Sequence, residues 1–247
     1  MGGMLKLYSP INELKQIGEE IWIVDGNEIH MSFKLFKVPF TTRMTIVKID
    51  NNKLWIHSPI AFNKELNDKI KELGDIEHIV APNKYHYSYV LDWYKHYPNA
   101  KVWLAKGVST KLKIDERENF VSLDNISKTS WSEEIFFTPF RGSIAMEEMV
   151  FFHKKSSTLI LTDLIESIEV NKLPLLYKLV FKFGDNKYPK FRTSRDLRSS
   201  FIFKKQAKDS YSKIESWKPD KIVFSHGKII LENGTEKLKE AFYWLRK

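Results

Sequence analysis

Three places in the sequence set ionisable or polar side chains directly after a short β-rich run. Asn83, Lys84, Tyr85, His86 and Tyr87 follow Ile79-Val80, Asp163 follows residues 159–162, and His226-Gly227 follows residues 222–225. Imidazoles and carboxylates are the groups that shuttle protons and ligate metals. Gathering such groups at the ends of core strands is a common way to build a site on a rigid scaffold. Each position also has a plain structural reading. Asp163 after Thr162 suits a helix N-cap, His226-Gly227 suits a turn with a satisfied histidine, and Tyr85, His86 and Tyr87 suit packing. Taken singly, each structural reading is the stronger one.

The elements that must position these residues follow from periodicity and turn signals. Residues 20–26 form a β-rich run closed by a turn signal, and residues 42–49 and 54–57 flank Asp50-Asn-Asn-Lys53 as a hairpin. Residues 63–73 show helical spacing of Leu66, Ile70 and Leu73 and end at Gly74, a natural C-cap. A buried strand over 78–81, a helix over 90–97 stopped at Pro98, and a strand over 101–104 come next. The second half opens with strands over 134–138, 148–153 and 158–162, with a turn at 154–157. Helices over 174–183 and 194–217, a strand over 221–225 and an amphipathic helix over 235–245 complete it. Two strand-rich halves followed by helices predict an α/β sandwich of two sheets covered on their outer faces.

The order of the motifs adds a resemblance. Leu159-Ile-Leu-Thr-Asp-Leu164 resembles the metallo-β-lactamase superfamily's strand ending in its bridging aspartate, and Ile222-Val-Phe-Ser-His-Gly227 the strand ending in its last metal-binding histidine. Ala81-Pro-Asn-Lys-Tyr-His86, Phe140-Arg-Gly-Ser143, Val150-Phe-Phe-His153, Thr158-Leu-Ile-Leu-Thr-Asp163 and Trp217-Lys-Pro-Asp220 resemble an uncharacterised branch, a domain of unknown function. The resemblance runs from about Glu20 to Leu245. It implies a four-layer αββα sandwich, two mixed sheets with helices outside, in which the Asp163 and His226 strands end on one edge and the Asn83–Tyr87 loop closes over it.

The departures bear on the chemistry. The superfamily's His-x-His-x-Asp-His signature is replaced by Asn83-Lys-Tyr-His-Tyr87, with one histidine and no carboxylate. Phe140-Arg141-Gly142 stands near the place of a third histidine, and His57-Ser-Pro59 where Asp-Thr-Gly is usual. What the resemblance leaves is His86, Asp163 and His226, enough for one open-sided Zn²⁺ or Fe²⁺ site but not for two metals. Arg141 would repel a metal and could hold an anion, with Asn83, Tyr85 and Tyr87 beside it. Its alternatives are ion pairs with Glu147, Glu148 or Asp163. His30, His57, His78, His96 and His153 read as structural or surface residues.

Composition bounds the rest. At 43% hydrophobic and 14% aromatic, the 247-residue chain has ample apolar surface for a core. No apolar run approaches the roughly 18 residues of a spanning helix, and the start lacks a secretory h-region. The chain has no cysteine, which excludes disulfides, thiolate metal sites and a Cys nucleophile, and agrees with a cytoplasmic location. The net charge of +9 is carried by residues 172–221, which hold 14 Lys/Arg against 5 Asp/Glu. In the resembled fold, insertions here form a cap beside the site. Such a block attracts anions or presents a solvated face. Nucleic acid ranks below a small anionic ligand as partner, because no nucleic-acid module is visible. Two expectations follow: a metal-dependent hydrolase of an ester, amide or phosphoester, of weak or no activity, with His86, Asp163 and His226 as catalytic residues and ligands to at most one Zn or Fe ion, or a metal-free, non-catalytic binding module that holds an anionic partner through its basic segment. Residues 1–247 are expected to form one domain.

Overall fold

The strand runs of the first half pair largely in sequence order. The computed structural model describes residues 5–33, 36–114, 119–124, 126, 128–173, 178 and 184–246. β1 (Lys15–Gly18), β2 (Ile21–Phe33), β3 (Phe36–Ile49) and β4 (Lys53–His57) form an antiparallel series. The β3–β4 turn uses Asn51 and Asn52 at φ 60° and 61°, a left-handed conformation that asparagine tolerates. From β4 onward helices intervene, and the strands become parallel. α1 (Lys64–Leu73) leads to β5 (Asp75–Ala81) and α2 (Val90–His96) to β6 (Lys101–Leu104). α3 (Val108–Leu112) precedes β7 (Phe120–Ser122), the last strand of this seven-stranded mixed sheet. Asn63 caps α1 by accepting from the Leu66 N–H at 2.9 Å.

The second sheet contains β8 (Ile135–Phe140), β9 (Glu148–His153), β10 (Thr158–Ile160) and β11 (Lys221–Val223), in the order β11-β10-β9-β8. It is mixed too, because β10 and β11 run parallel. α4 (Arg195–Ser199), α5 (Lys204–Ser216) and α6 (Gly234–Ala241) complete the described helices, with α5 against β8 and α6 against β11. Successive side chains of a strand face opposite sides, and both sides of this sheet are covered. Met149, Phe151 and Ile160 enter the core shared with the first sheet, whereas Val150, Phe152 and Leu159 enter the core beneath α5 and α6. Trp131 joins the layers, with its ring 5.9 Å from Trp55, 5.5 Å from Trp103 and 5.9 Å from Phe151. The architecture is the expected sandwich of two mixed sheets with helices outside. Among the described residues no helix is long and apolar enough to cross a membrane.

Several local expectations change. The run over 20–26 does not stop at Gly26 but continues through Phe33. Gly26 marks a register shift between Asp25 and Glu28, where a Cβ would come within 2.6 Å of Thr42 Oγ1. The expected helix over 194–217 is two helices, because Phe201 leaves the helical path. It pairs with Ser143 and buries its ring against Phe140 and Trp244. The helix expected over 235–245 ends at Ala241 and finishes in a 3-10 turn. Short strands β1 and β7 and helix α3 add to the sequence-based elements. Of the helix expected over 174–183, all but Lys178 lies outside the described residues.

Candidate metal centre

Parallel pairing of β10 with β11 decides where two of the three strand ends go. Beyond Ile160 and Val223 the chains run on side by side, Leu161 N–H donating to Val223 O and Ser225 N–H to Thr162 O. Asp163 and His226 therefore emerge on one edge. The loop after β5 reaches the same edge and is tied to the second sheet by the Met149 N–H donating to Pro82 O at 2.8 Å. His86 Nε2 lies 3.1 Å and His226 Nε2 3.2 Å from the same oxygen, Asp163 Oδ1. One donor atom from each of the three residues lies within 4.8 Å of the others.

Each member is held from behind. Ser58 Oγ is 2.8 Å from His86 Nδ1, which leaves Nε2 for the site. Asn83, fully buried, accepts the Tyr85 and His86 N–H groups on Oδ1 and so shapes the loop locally. Its Nδ2 donates to Asp163 Oδ2 and Thr162 Oγ1, each at 2.8 Å, and lies 3.3 Å from Glu148 Oε2. Glu148, also fully buried, accepts the Thr162 N–H at 2.5 Å and the Asp163 N–H at 2.9 Å. His226 packs its ring 5.0 Å from Phe40, and its Nδ1 is buried without a partner among the described residues.

The electrostatics follow from this packing. Burial works against the Asp163 charge, but His86 and the hydrogen bonds from His226 and His86 outweigh it and hold the carboxyl well below its usual range. Burial likewise opposes a charge on His86, and Asp163 overrides it, raising that imidazole. At His226 burial prevails and the imidazole is lowered. Burial and the charge of Asp163 push Glu148 up to about 7 and Glu166 up to about 8.

A cavity of about 290 Å³ opens beside the two imidazoles. Phe40, Tyr85 and Tyr87 line it together with Lys84 and Lys111, and no acidic side chain does so among the described residues. Of the four residues expected to bind an anion, Tyr85 and Tyr87 line this cavity. Asn83 and Arg141 do not. Asn83 lies beneath the site with its amide engaged, and Arg141 is half exposed with Nε 3.5 Å from Glu147 Oε2, away from an ion pair with Asp163. The described part of residues 172–221 contributes nothing to the cavity wall except at a neighbouring recess, where Lys172 and Leu173 meet His226. Within that segment Arg192 and Arg198 both bind Asp185 at 3.1 Å and lie over the Tyr243 ring.

Sequence reasoning missed Ser58, Glu148 and Glu166. Glu148 left a trace: a carboxylate opening the otherwise apolar run Met149-Val-Phe-Phe152 is costly to bury without partners. Ser58 and Glu166 left none.

Comparison with solved structures finds this arrangement of sheets in the metallo-β-lactamases. DIM-1 metallo-β-lactamase is 11% identical with a TM-score of 0.60, covering 97% of this chain and 98% of its own. The metallo-β-lactamase from Pontibacter korlensis is 10% identical with a TM-score of 0.59, covering 95% and 99%. FIM-1 from Pseudomonas aeruginosa, in a mono-zinc form, is 10% identical with a TM-score of 0.59, covering 92% of each chain. No curated protein matches. The family model described as Domain of unknown function (DUF4336) matches residues 19–200. The chain belongs to that family, and it is built on the metallo-β-lactamase fold.

Proposed function

We propose that the chain is a metal-dependent hydrolase of ester, amide or phosphoester bonds that holds at most one metal ion, zinc or iron, at His86, Asp163 and His226. The observation that supports this most is convergence: two imidazoles that line a cavity meet one carboxylate behind them, and the three come from separate strand ends. Tetrahedral zinc with bonds of about 2.0–2.2 Å needs donors roughly 3.3–3.6 Å apart. The His86–Asp163 and His226–Asp163 separations, 3.1 and 3.2 Å, are close to that. Three protein ligands leave one position open, as in catalytic zinc sites, and FIM-1 is a protein of this fold in a mono-zinc form. Such an ion, when bound, lowers the pKa of a water toward neutrality.

The chain's own residues supply the rest. Ser58 selects the nitrogen that His86 presents, and Asn83 and Glu148 orient Asp163. Phe40, Tyr85 and Tyr87 offer apolar walls, and Lys84 and Lys111 favour a small anionic substrate. In this reading residues 1–247 act as one domain, residues 172–221 are a cap-like segment of it, and the lack of cysteine suits the cytoplasm.

A second reading rests on the same contacts. His86, His226 and Asn83 already satisfy Asp163, as a metal-free binding module would require. Plasma mass spectrometry of protein loaded with Zn²⁺ or Fe²⁺ separates the two. Close to one ion per chain is expected, and none in the double variant Asp163→Asn, His226→Ala. No ion in the unmodified protein would leave the binding module. Two ions per chain, or an ion retained by the double variant, would show that the ligands lie elsewhere.

A further inference from the structure

Arg43 on β3 and Asp25 on β2 are charged residues that the proposed chemistry does not use, yet they are only 4% and 3% exposed. Arg43 Nε and Nη2 lie 2.8 and 2.7 Å from Asp25 Oδ1, while Lys15 Nζ holds Oδ2 at 2.8 Å. The remaining nitrogen crosses to the second sheet. Nη1 donates to Phe224 O at 2.6 Å and to Gly227 O at 3.0 Å. A buried ion pair is weak grounds for stability in itself, since apolar packing of the same volume does as well. Its geometry is more telling.

β11 ends at Val223, and the four carbonyls that follow leave the strand ladder and need new partners. All four have one. Arg43 takes those of residues 224 and 227, Thr41 Oγ1 donates to Ser225 O at 3.4 Å, and the Ser167 N–H donates to His226 O at 3.0 Å. Gly227 closes the segment at φ +115°, where a Cβ would lie 2.1 Å from Ser167 O. Two residues of the first sheet thus fix the backbone from which His226 projects.

We propose that Arg43 is a positioning residue: held by Asp25, its guanidinium pins the backbone on both sides of His226 and thereby aims Nε2 at Asp163 Oδ1. Arg43→Lys is the informative change, because lysine keeps the charge and loses the planar fork. The primary measurement does not need the hydrolase reading. In ¹H–¹⁵N spectra of the metal-free protein, the imidazole signals of His226 should shift while those of His57, His78 and His153 stay in place. Ile70→Val, a core change in α1, should move none of them. Unchanged His226 signals in Arg43→Lys would overturn the proposal. The second measurement rests on the hydrolase reading: zinc affinity by chelator competition should fall about 10–100-fold, with an altered Co²⁺ absorption band. An unmodified protein that takes up no metal would sink that reading, and the imidazole spectra would still decide for or against Arg43. Should Arg43→Lys not fold, Thr41→Val, which removes one donor to the same segment, is expected to shift His226 in the same direction and less.

Discussion

Two groups of buried histidines occupy this molecule, one at the open edge of the sandwich and one inside it. His57, His78 and His153 sit in the interior, and burial lowers them to about 3, 4 and 4 respectively. His86 and His226 are also enclosed, but they share the carboxylate of Asp163, and His86 is raised rather than lowered. The residue type is the same in both places. In the interior, burial prevails and yields a neutral packing ring: His57 stacks on Trp55 at 5.5 Å, and His78 is lowered although Glu77 Oε1 lies 3.7 Å from its Nε2. In the proposed function, a carboxylate with its own support makes the same ring a ligand or proton carrier. The difference lies in what holds Asp163, and this can be tested by substitution.

The largest effect is expected at Glu148. Glu148→Ala would leave the Thr162 and Asp163 N–H groups without their buried acceptor, while the Asn83 amide keeps Asp163 and Thr162. At about 1–3 kcal/mol per unsatisfied group, a loss of roughly 3–5 kcal/mol is expected in urea denaturation. A change below about 0.5 kcal/mol, the size of an ordinary surface substitution, would show that Asp163 needs no such support.

The sequence made this edge partly legible. Asp163 and His226 each end an apolar run, so their strands could be read from pattern, whereas their common edge came from the family resemblance. His86 was recognisable through its place after the β5 strand. The supports were not, because their partners are remote: Glu148 acts on residues 14 and 15 positions away, and Arg43 on residues 181 and 184 positions away. Arg141 stayed open between an anion site and an ion pair for the complementary reason. Its neighbour in sequence, Glu147, engages it locally, and nothing in the pattern shows which way it turns. The break between α4 and α5 was hidden because Phe201 fits a helical stripe as well as it fits the pocket between Phe140 and Trp244.

A second, smaller effect concerns pH. Glu166 has a folded value of about 8 against an ordinary 4.5, raised chiefly by burial. The folded protein therefore prefers its protonated form. That stability is fully present below about 4.5 and is lost as pH rises through about 8, on the order of 2–4 kcal/mol. Glu148, raised to about 7, acts in the same direction. The interior histidines act oppositely and elsewhere: lowered on folding, they contribute stability above about 6.5 that is lost as pH falls toward 3–4. Between pH 6.5 and 8.5, then, the glutamates should govern. Denaturation midpoints of the metal-free protein should fall over that interval, and fall less in Glu166→Gln. Equal declines in the two proteins would remove Glu166 from the account.

The smallest effect, and the sharpest contrast, is expected from replacing an interior histidine. Among the described residues His57 Nε2 is buried without a hydrogen-bond partner, and the ring is held by Trp55 and by Phe151, whose centroid is 5.4 Å away. Phenylalanine can keep both ring contacts and removes the unsatisfied nitrogen, a replacement that is close to neutral or stabilising. His57→Phe should therefore change stability by no more than about 1 kcal/mol, in the favourable direction if at all. It should leave metal content untouched, because Ser58, the next residue, keeps its hydroxyl on His86. His86→Phe carries the same chemical change to the edge, where it would deprive both Ser58 and Asp163 of a partner and the site of a donor. A cost of about 1–3 kcal/mol and loss of metal are expected there. Were His57→Phe to lose metal as completely as His86→Phe, the interior rings would belong to the site, and the distinction between the two groups would rest on nothing but position.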